Sequence, residues 1–260
     1  MIKDLRGLFF DSSNRPKITP LNESAVQRFL EEKYDRKDLT YALEKLQDKK
    51  LPKNKRIICW EENRKLFGKI KFYYPALFKT PEHNTKIREK IFRRSQIIER
   101  YSRIENITML GNHLHYLVKN ELKANNFEIL GEKTNRFENN MGDSSHTIDF
   151  IARNKQKKKT IGVEIKNTLD IIPKKELDIK ISICESLKIT PVFACRWLKP
   201  HREKIRKKGG FPWEFKKQLY PFGQEKLVMK LKKTMNLPVE IAGEIPEESR
   251  KNFQDWLNYV

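Results

Sequence analysis

Apolar residues recur at helical spacing in several stretches of this chain, with shorter bursts of strand-like residues between them. Behind a capping Asn22, the residues Ala25, Val26, Phe29 and Leu30 share one helical face. A second helix is expected from Asp35, with Leu39, Ala42, Leu43 and Leu46 as its stripe, ended by Pro52 and the polar residues through Arg56. Two strand-like runs, 56–60 and 66–74, follow around Glu61-Glu-Asn-Arg64. Residues 86–103 form a basic amphipathic pattern whose stripe is Ile87, Ile91, Ile98 and Tyr101. A helix over 109–125 buries Leu110, Leu114, Leu117, Val118 and Leu122. Strands are then expected at 127–137, 146–153, 160–167 and 191–196, with a helix over 174–187 before the last. The order α-β-β-β-α-β predicts an α/β unit whose final crossover makes a parallel pair within a mixed sheet.

Two of these strands carry acids. Asp149 sits inside one apolar run, and Glu164-Ile-Lys166 sits inside the next. Burying a carboxylate without a partner costs several kcal/mol. A metal ion bridging Asp149 and Glu164 would remove that objection. Lys166 lies two residues beyond Glu164 and so shares its face of the strand.

Asp149 followed by Glu164-Ile-Lys166 across a hairpin resembles the PD-(D/E)XK nuclease superfamily. Upstream, Gly111-Asn-His-Leu-His115 is similar to the G-x-x-x-H motif of its RecB-like and Cas4-like branch. The resemblance covers roughly residues 109 to 196 and implies a restriction-endonuclease-like core that hydrolyses phosphodiester bonds. It further implies Mg²⁺ or Mn²⁺ held by Asp149, Glu164, the Ile165 carbonyl and His115, the nitrogen ligand favouring Mn²⁺. Lys166 would orient the attacking water or balance developing negative charge. The branch's Q-x-x-x-Y element is missing from the helix over 174–187. There Lys175 and Lys180 would contact phosphate instead. Glu121 is a second candidate ligand, whereas His113 and His146 read as ordinary polar residues.

Composition sharpens the choice of partner. The chain has 260 residues, with 55 Lys and Arg against 34 Asp and Glu, a formal charge of +21. A field of that sign favours a polyanion, and DNA, duplex or structured, is the expected partner. No apolar run approaches a membrane span and the N-terminus lacks a signal-peptide core, so no membrane partner and a cytoplasmic location are expected. Cys59, Cys184 and Cys195 form no C-x-x-C pair and read as buried small hydrophobes in a reducing compartment.

The expected organisation has four parts. Residues 1–80 make a winged-helix-like module for DNA binding or dimerisation, and 81–108 a basic connecting helix presenting Arg93 and Arg94 to phosphates or to solvent. Residues 109–200 form the nuclease-like core. Residues 201–260 form a basic and aromatic extension that packs on it. Arg196, at the end of the last strand, and Lys204, Arg206, Lys207 and Lys208 in this extension are candidate phosphate contacts. Trp197, Phe211, Trp213 and Phe215 suit base stacking or, alternatively, packing on the core, which is favoured for Phe253 and Trp256. The leading functional expectation is a metal-dependent DNA endonuclease, as a homodimer if both strands are cut. The alternatives are a catalytically silent nucleic-acid-binding protein on the same scaffold and an RNA-processing or structure-specific nuclease.

Overall fold

The computed structural model describes residues 1–259 apart from 14, 18, 35, 65–67, 79–80 and 82–83. The chain divides into two compact units, Met1–Ile104 with Met229–Leu237, and Glu105–Val228 with Pro238–Val260.

The first unit runs α1 (Ile2–Gly7), β1 (Leu21–Asn22), α2 (Glu23–Leu30), α3 (Arg36–Leu46), β2 (Ile57–Arg64), β3 (Gly68–Pro75) and α4 (Thr85–Tyr101). Its antiparallel sheet has the order β1-β3-β2. The stripe of α3 closes on Leu5, Phe9, Val26 and Ile57 in one apolar cluster. Phe29, expected on the buried face of α2, lies exposed instead. Asn22 stands at the N-cap of α2, but its side chain makes no capping bond. The break expected at Glu61–Arg64 is absent, because β2 continues to Arg64 and pairs with Gly68. Alternating side chains keep such a run extended even where it is polar. Asp35, expected to open α3, and Leu66–Phe67 lie outside the described residues. The Asn84 side chain accepts a bond from the Ile87 amide at the start of α4, whose Ile87 and Ile91 pack on Phe72 and Tyr74. The basic helix therefore belongs to the first unit by its packing.

The second unit is built on a five-stranded mixed sheet. In chain order come α5 (Ile104–Ala124), β4 (Phe127–Thr134), the hairpin β5 (Arg136–Phe137) and β6 (Asn140–Met141), β7 (Ile148–Asn154) and β8 (Lys159–Lys166). Then follow α6 (Lys174–Ser186), β9 (Thr190–Cys195), α7 (Arg202–Lys207), β10 (Phe211–Glu214), β11 (Gln218–Tyr220), α8 (Glu225–Met235), which counts with the first unit from Met229 onward, β12 (Val239–Ile241) and α9 (Glu247–Tyr259). The sheet order is β10-β9-β8-β7-β4, with β8, β9 and β10 parallel and the remainder antiparallel. Ile161, Val163 and Ile165 of β8 face the apolar residues of α5 and α9. Residues 162, 164 and 166 therefore point to the other face, where Leu177, Ile181 and Cys184 of α6 pack. Gly162 permits that close approach: a Cβ there would stand 2.8 Å from both Cys184 Sγ and Ile189 Cδ1.

Two sequence expectations change here. Helix α5 starts at Ile104, five residues before the expected 109, so Gly111 lies in its interior. The segment beyond residue 200 adds β10 to the sheet edge and α9 to its face. Trp213 is fully buried and stacks on Phe253 at 4.2 Å, while Trp197 and Phe215 are also buried. These rings are committed to the core and are closed to base stacking. Indole and phenyl area of that size contributes more to stability inside than outside.

Candidate active site at the end of β7 and β8

The ladder between β7 and β8 ends at the pair Phe150–Val163. One residue beyond, Asp149 accepts a hydrogen bond from the Ile165 amide through Oδ2 at 2.8 Å. A side-chain carboxylate thus takes a backbone donor of β8 where the strands stop pairing. The other oxygen of Asp149 lies 3.5 Å from His115 Nε2 on α5. The His115 ring meets Phe150 edge-on at 5.4 Å, so the core side of β7 sets its orientation.

Glu164 is 4% exposed. Burial pushes its carboxyl up to about 7, the charge of Asp149 adds to the rise, and Lys180 and Lys166 oppose it. Lys180, from the sheet-facing side of α6, donates to Glu164 Oε2 at 2.7 Å and to the Thr147 carbonyl. Lys166 pairs with Glu176, also on α6, at 2.6 Å and remains partly exposed. Asp149, Glu164, Lys166 and His115 are therefore gathered at one end of the sheet, with α6 supplying two further charged groups.

The residue after Lys166 anchors this end. Buried Asn167 donates through Nδ2 to the carbonyls of Leu110 on α5 and Leu219 on β11, and its Oδ1 accepts from the Leu219 amide. Its own carbonyl accepts from Gln218 Nε2.

Several sequence-predicted residues land elsewhere. Lys180 is buried against Glu164 and is no surface phosphate contact, because it sits on the same face of α6 as Leu177, Ile181 and Cys184. Arg196 is 2% exposed and donates to the Leu169 carbonyl through Nε and Nη2, so its guanidinium is also closed to phosphate. Arg94 is buried in the first unit and donates to the Thr234 carbonyl at 2.8 Å, while Arg93 is exposed. Lys175, Arg206, Lys207 and Lys208 are exposed and Lys204 is half-buried. Of these, Lys204 pairs with Asp178, Arg206 with Glu203 and Lys208 with Glu185. Glu121 accepts from Asn125, the residue just past the end of α5, and takes an ordinary polar role. His113 contacts the Ala242 carbonyl, and burial lowers its pKa. His146 is exposed.

The residues that sequence reasoning missed are Glu176, Asn167 and the inward-facing role of Lys180. Glu176 and Lys180 stand four apart on one helix face, beside Leu177, Ile181 and Cys184. Charged residues inside an apolar stripe were the available signal.

Among the described residues, no group of three His, Cys, Asp or Glu side chains converges to hold a metal ion. The donor types nevertheless suit one: two carboxylates close enough to repel each other and an imidazole nitrogen beside one of them. A cleft of about 830 Å³ in the first unit, lined in part by Trp60, Arg88 and Phe92, includes none of these residues. Among the described residues no helix is long and apolar enough to cross a membrane. No family model, curated protein or solved structure matches the chain.

Proposed function

We propose that the second unit is a metal-dependent nuclease of the PD-(D/E)XK type that hydrolyses phosphodiester bonds in DNA. The observation that carries this reading is Asp149 at the point where β7 and β8 part, bonded to the Ile165 amide, 3.5 Å from His115 and near enough to Glu164 for its charge to be felt there, with Lys166 one strand repeat onward. Asp149, Glu164, the Ile165 carbonyl and His115 are the groups that would hold Mg²⁺ or Mn²⁺. When bound, the ion supplies Lewis acidity to the phosphoryl oxygen and to the attacking water. Lys166, held by Glu176 at the partly exposed rim, presents a cation to the charge that develops on the phosphate. The helix, three-stranded half, helix and parallel strand order of α5, β4, β7, β8, α6 and β9 supports a restriction-endonuclease-like core.

The first unit supports the DNA reading. Its order of helix, short strand, two helices and hairpin, with β1 beside β3, supports a winged-helix-like reading. In that reading α3 enters the major groove and the hairpin touches the backbone. The charge of +21 and the exposed cations Arg93, Lys175, Arg206, Lys207 and Lys208 supply phosphate contacts. Cleavage of both strands calls for a two-fold dimer.

A second reading, a nucleic-acid-binding protein without turnover, is favoured by two observations. Lys180 already neutralises Glu164, and no three-ligand group converges among the described residues.

Incubating the protein with supercoiled plasmid in Mg²⁺ or Mn²⁺, beside Asp149→Ala and Lys166→Ala, separates the two. The nuclease reading expects metal-dependent nicking by the wild type and none by either variant. Salt-sensitive binding without cutting by all three, on plasmid and on a panel of structured DNA and RNA, sinks it.

A further inference from the structure

The ammonium of Lys180 is the least expected group at this end of the sheet. Its side chain is 10% exposed and that of Glu164 6%, so the pair is shielded from solvent. Nζ bonds a carboxylate oxygen of Glu164 and the backbone carbonyl of Thr147, two residues before Asp149. A carboxylate and a carbonyl beside a second carboxylate are the ligand types a hard divalent cation takes. An ammonium is a monovalent cation that needs no special geometry, and it satisfies the same oxygens.

Resting on the metal-site reading above, we infer that Lys180 is an internal counter-ion that holds Glu164 in place of a divalent metal, so that metal entry requires the ammonium to leave. Charge counting gives the direction. With both acids ionised, Asp149, Glu164 and Lys180 sum to −1, and a divalent ion takes that to +1 with the lysine present but to zero without it. Two cations crowded into a poorly solvated space repel each other more strongly than in water. The same arrangement explains why Asp149, Glu164 and His115 do not close as a group of three: Glu164 is turned toward Lys180 on α6. Lys180 thus acts as a lock on the site, keeping Glu164 satisfied until a cation of higher charge competes for it.

The test is Mn²⁺ binding to the full chain by isothermal titration calorimetry, after chelator treatment and without nucleic acid. Wild type is compared with Lys180→Met, Lys180→Gln and each of these combined with Asp149→Ala. The expected result is at least tenfold tighter Mn²⁺ binding by both Lys180 variants, lost when Asp149→Ala is added. Binding only by the Lys180 variants, and dependent on Asp149, supports the same conclusion in stronger form. Equal or weaker binding than wild type overturns the lock while leaving the metal site standing. No binding by any folded form removes the metal site itself, and the lock with it. If the Lys180 variants do not fold alone, they are refolded with and without Mn²⁺. Rescue by the ion, dependent on Asp149, is expected, and failure of both variants to respond counts against the lock.

Discussion

Replacing Asn167 by Ala isolates the polar anchor that holds the end of β8 against α5. The amide donates two hydrogen bonds and accepts one, all in the buried interior. The Leu110 carbonyl lies within α5 and keeps its helical acceptor role, so its loss is small. The Leu219 amide and carbonyl both lose this partner. At about 1 kcal/mol per net bond, with a further penalty for a stranded buried amide, the loss is about 3 to 5 kcal/mol. For a unit of this size that corresponds to a fall in Tm of roughly 6 to 20 °C. Asn167→Asp is a more pointed variant. It retains an acceptor for the Leu219 amide but sets a carboxylate against the carbonyls of Leu110 and Leu219, which have no proton to share. Its loss at pH 8 equals or exceeds that of the alanine variant, and part is recovered in acid because a protonated carboxyl can donate once. The assay is urea unfolding followed by tryptophan fluorescence, with Trp213 reporting the core of the second unit. A loss below about 1 kcal/mol for both variants would refute the reasoning, since water would then replace the amide without cost.

Three further outcomes follow from the same geometry. In chelator, Glu164 has a folded pKa of about 7 against an ordinary value of 4.5, so the folded state binds the extra proton between those values. Its contribution is complete below the unfolded pKa and is lost as pH rises through 7, and Glu164→Gln should abolish a loss of about 3 kcal/mol between pH 5 and 8. Parallel pH profiles for wild type and Glu164→Gln would count against the desolvation argument. Gly162→Ala places a Cβ against Cys184 and Ile189 and should cost about 1 to 3 kcal/mol, partly restored by adding Cys184→Ala, as denaturant midpoints would reveal. Glu176→Gln should leave the fold intact but lower plasmid nicking by releasing Lys166, with kcat affected more than KM; unchanged turnover would remove Glu176 from the site.

Much of the second unit was legible in the chain. The periods of 3.6 and 2 placed α5, β4, β7, β8, α6 and β9 to within a few residues, save that α5 starts five residues earlier than its apolar stripe suggested. Period two also put Lys166 on the face of Glu164. The hairpin of the first unit is readable as two strands, but its charged run Glu61–Arg64 reads as a break that the paired strands do not have. Polar residues stay extended wherever the partner strand supplies the bonds, as β3 does for β2.

By itself the sequence determined the periodic elements, the parallel crossover and the acids and lysine placed on β7 and β8, because those depend on spacing along a few neighbouring residues. Only the tertiary structure decided which charges meet. It turned Lys180 inward onto Glu164, seated Lys166 on Glu176, buried Arg94 and Arg196, and sent Trp213 into the core through a fifth strand. Those outcomes depend on which face of a distant element lands opposite a side chain. Local periodicity gives the face but not the element that covers it.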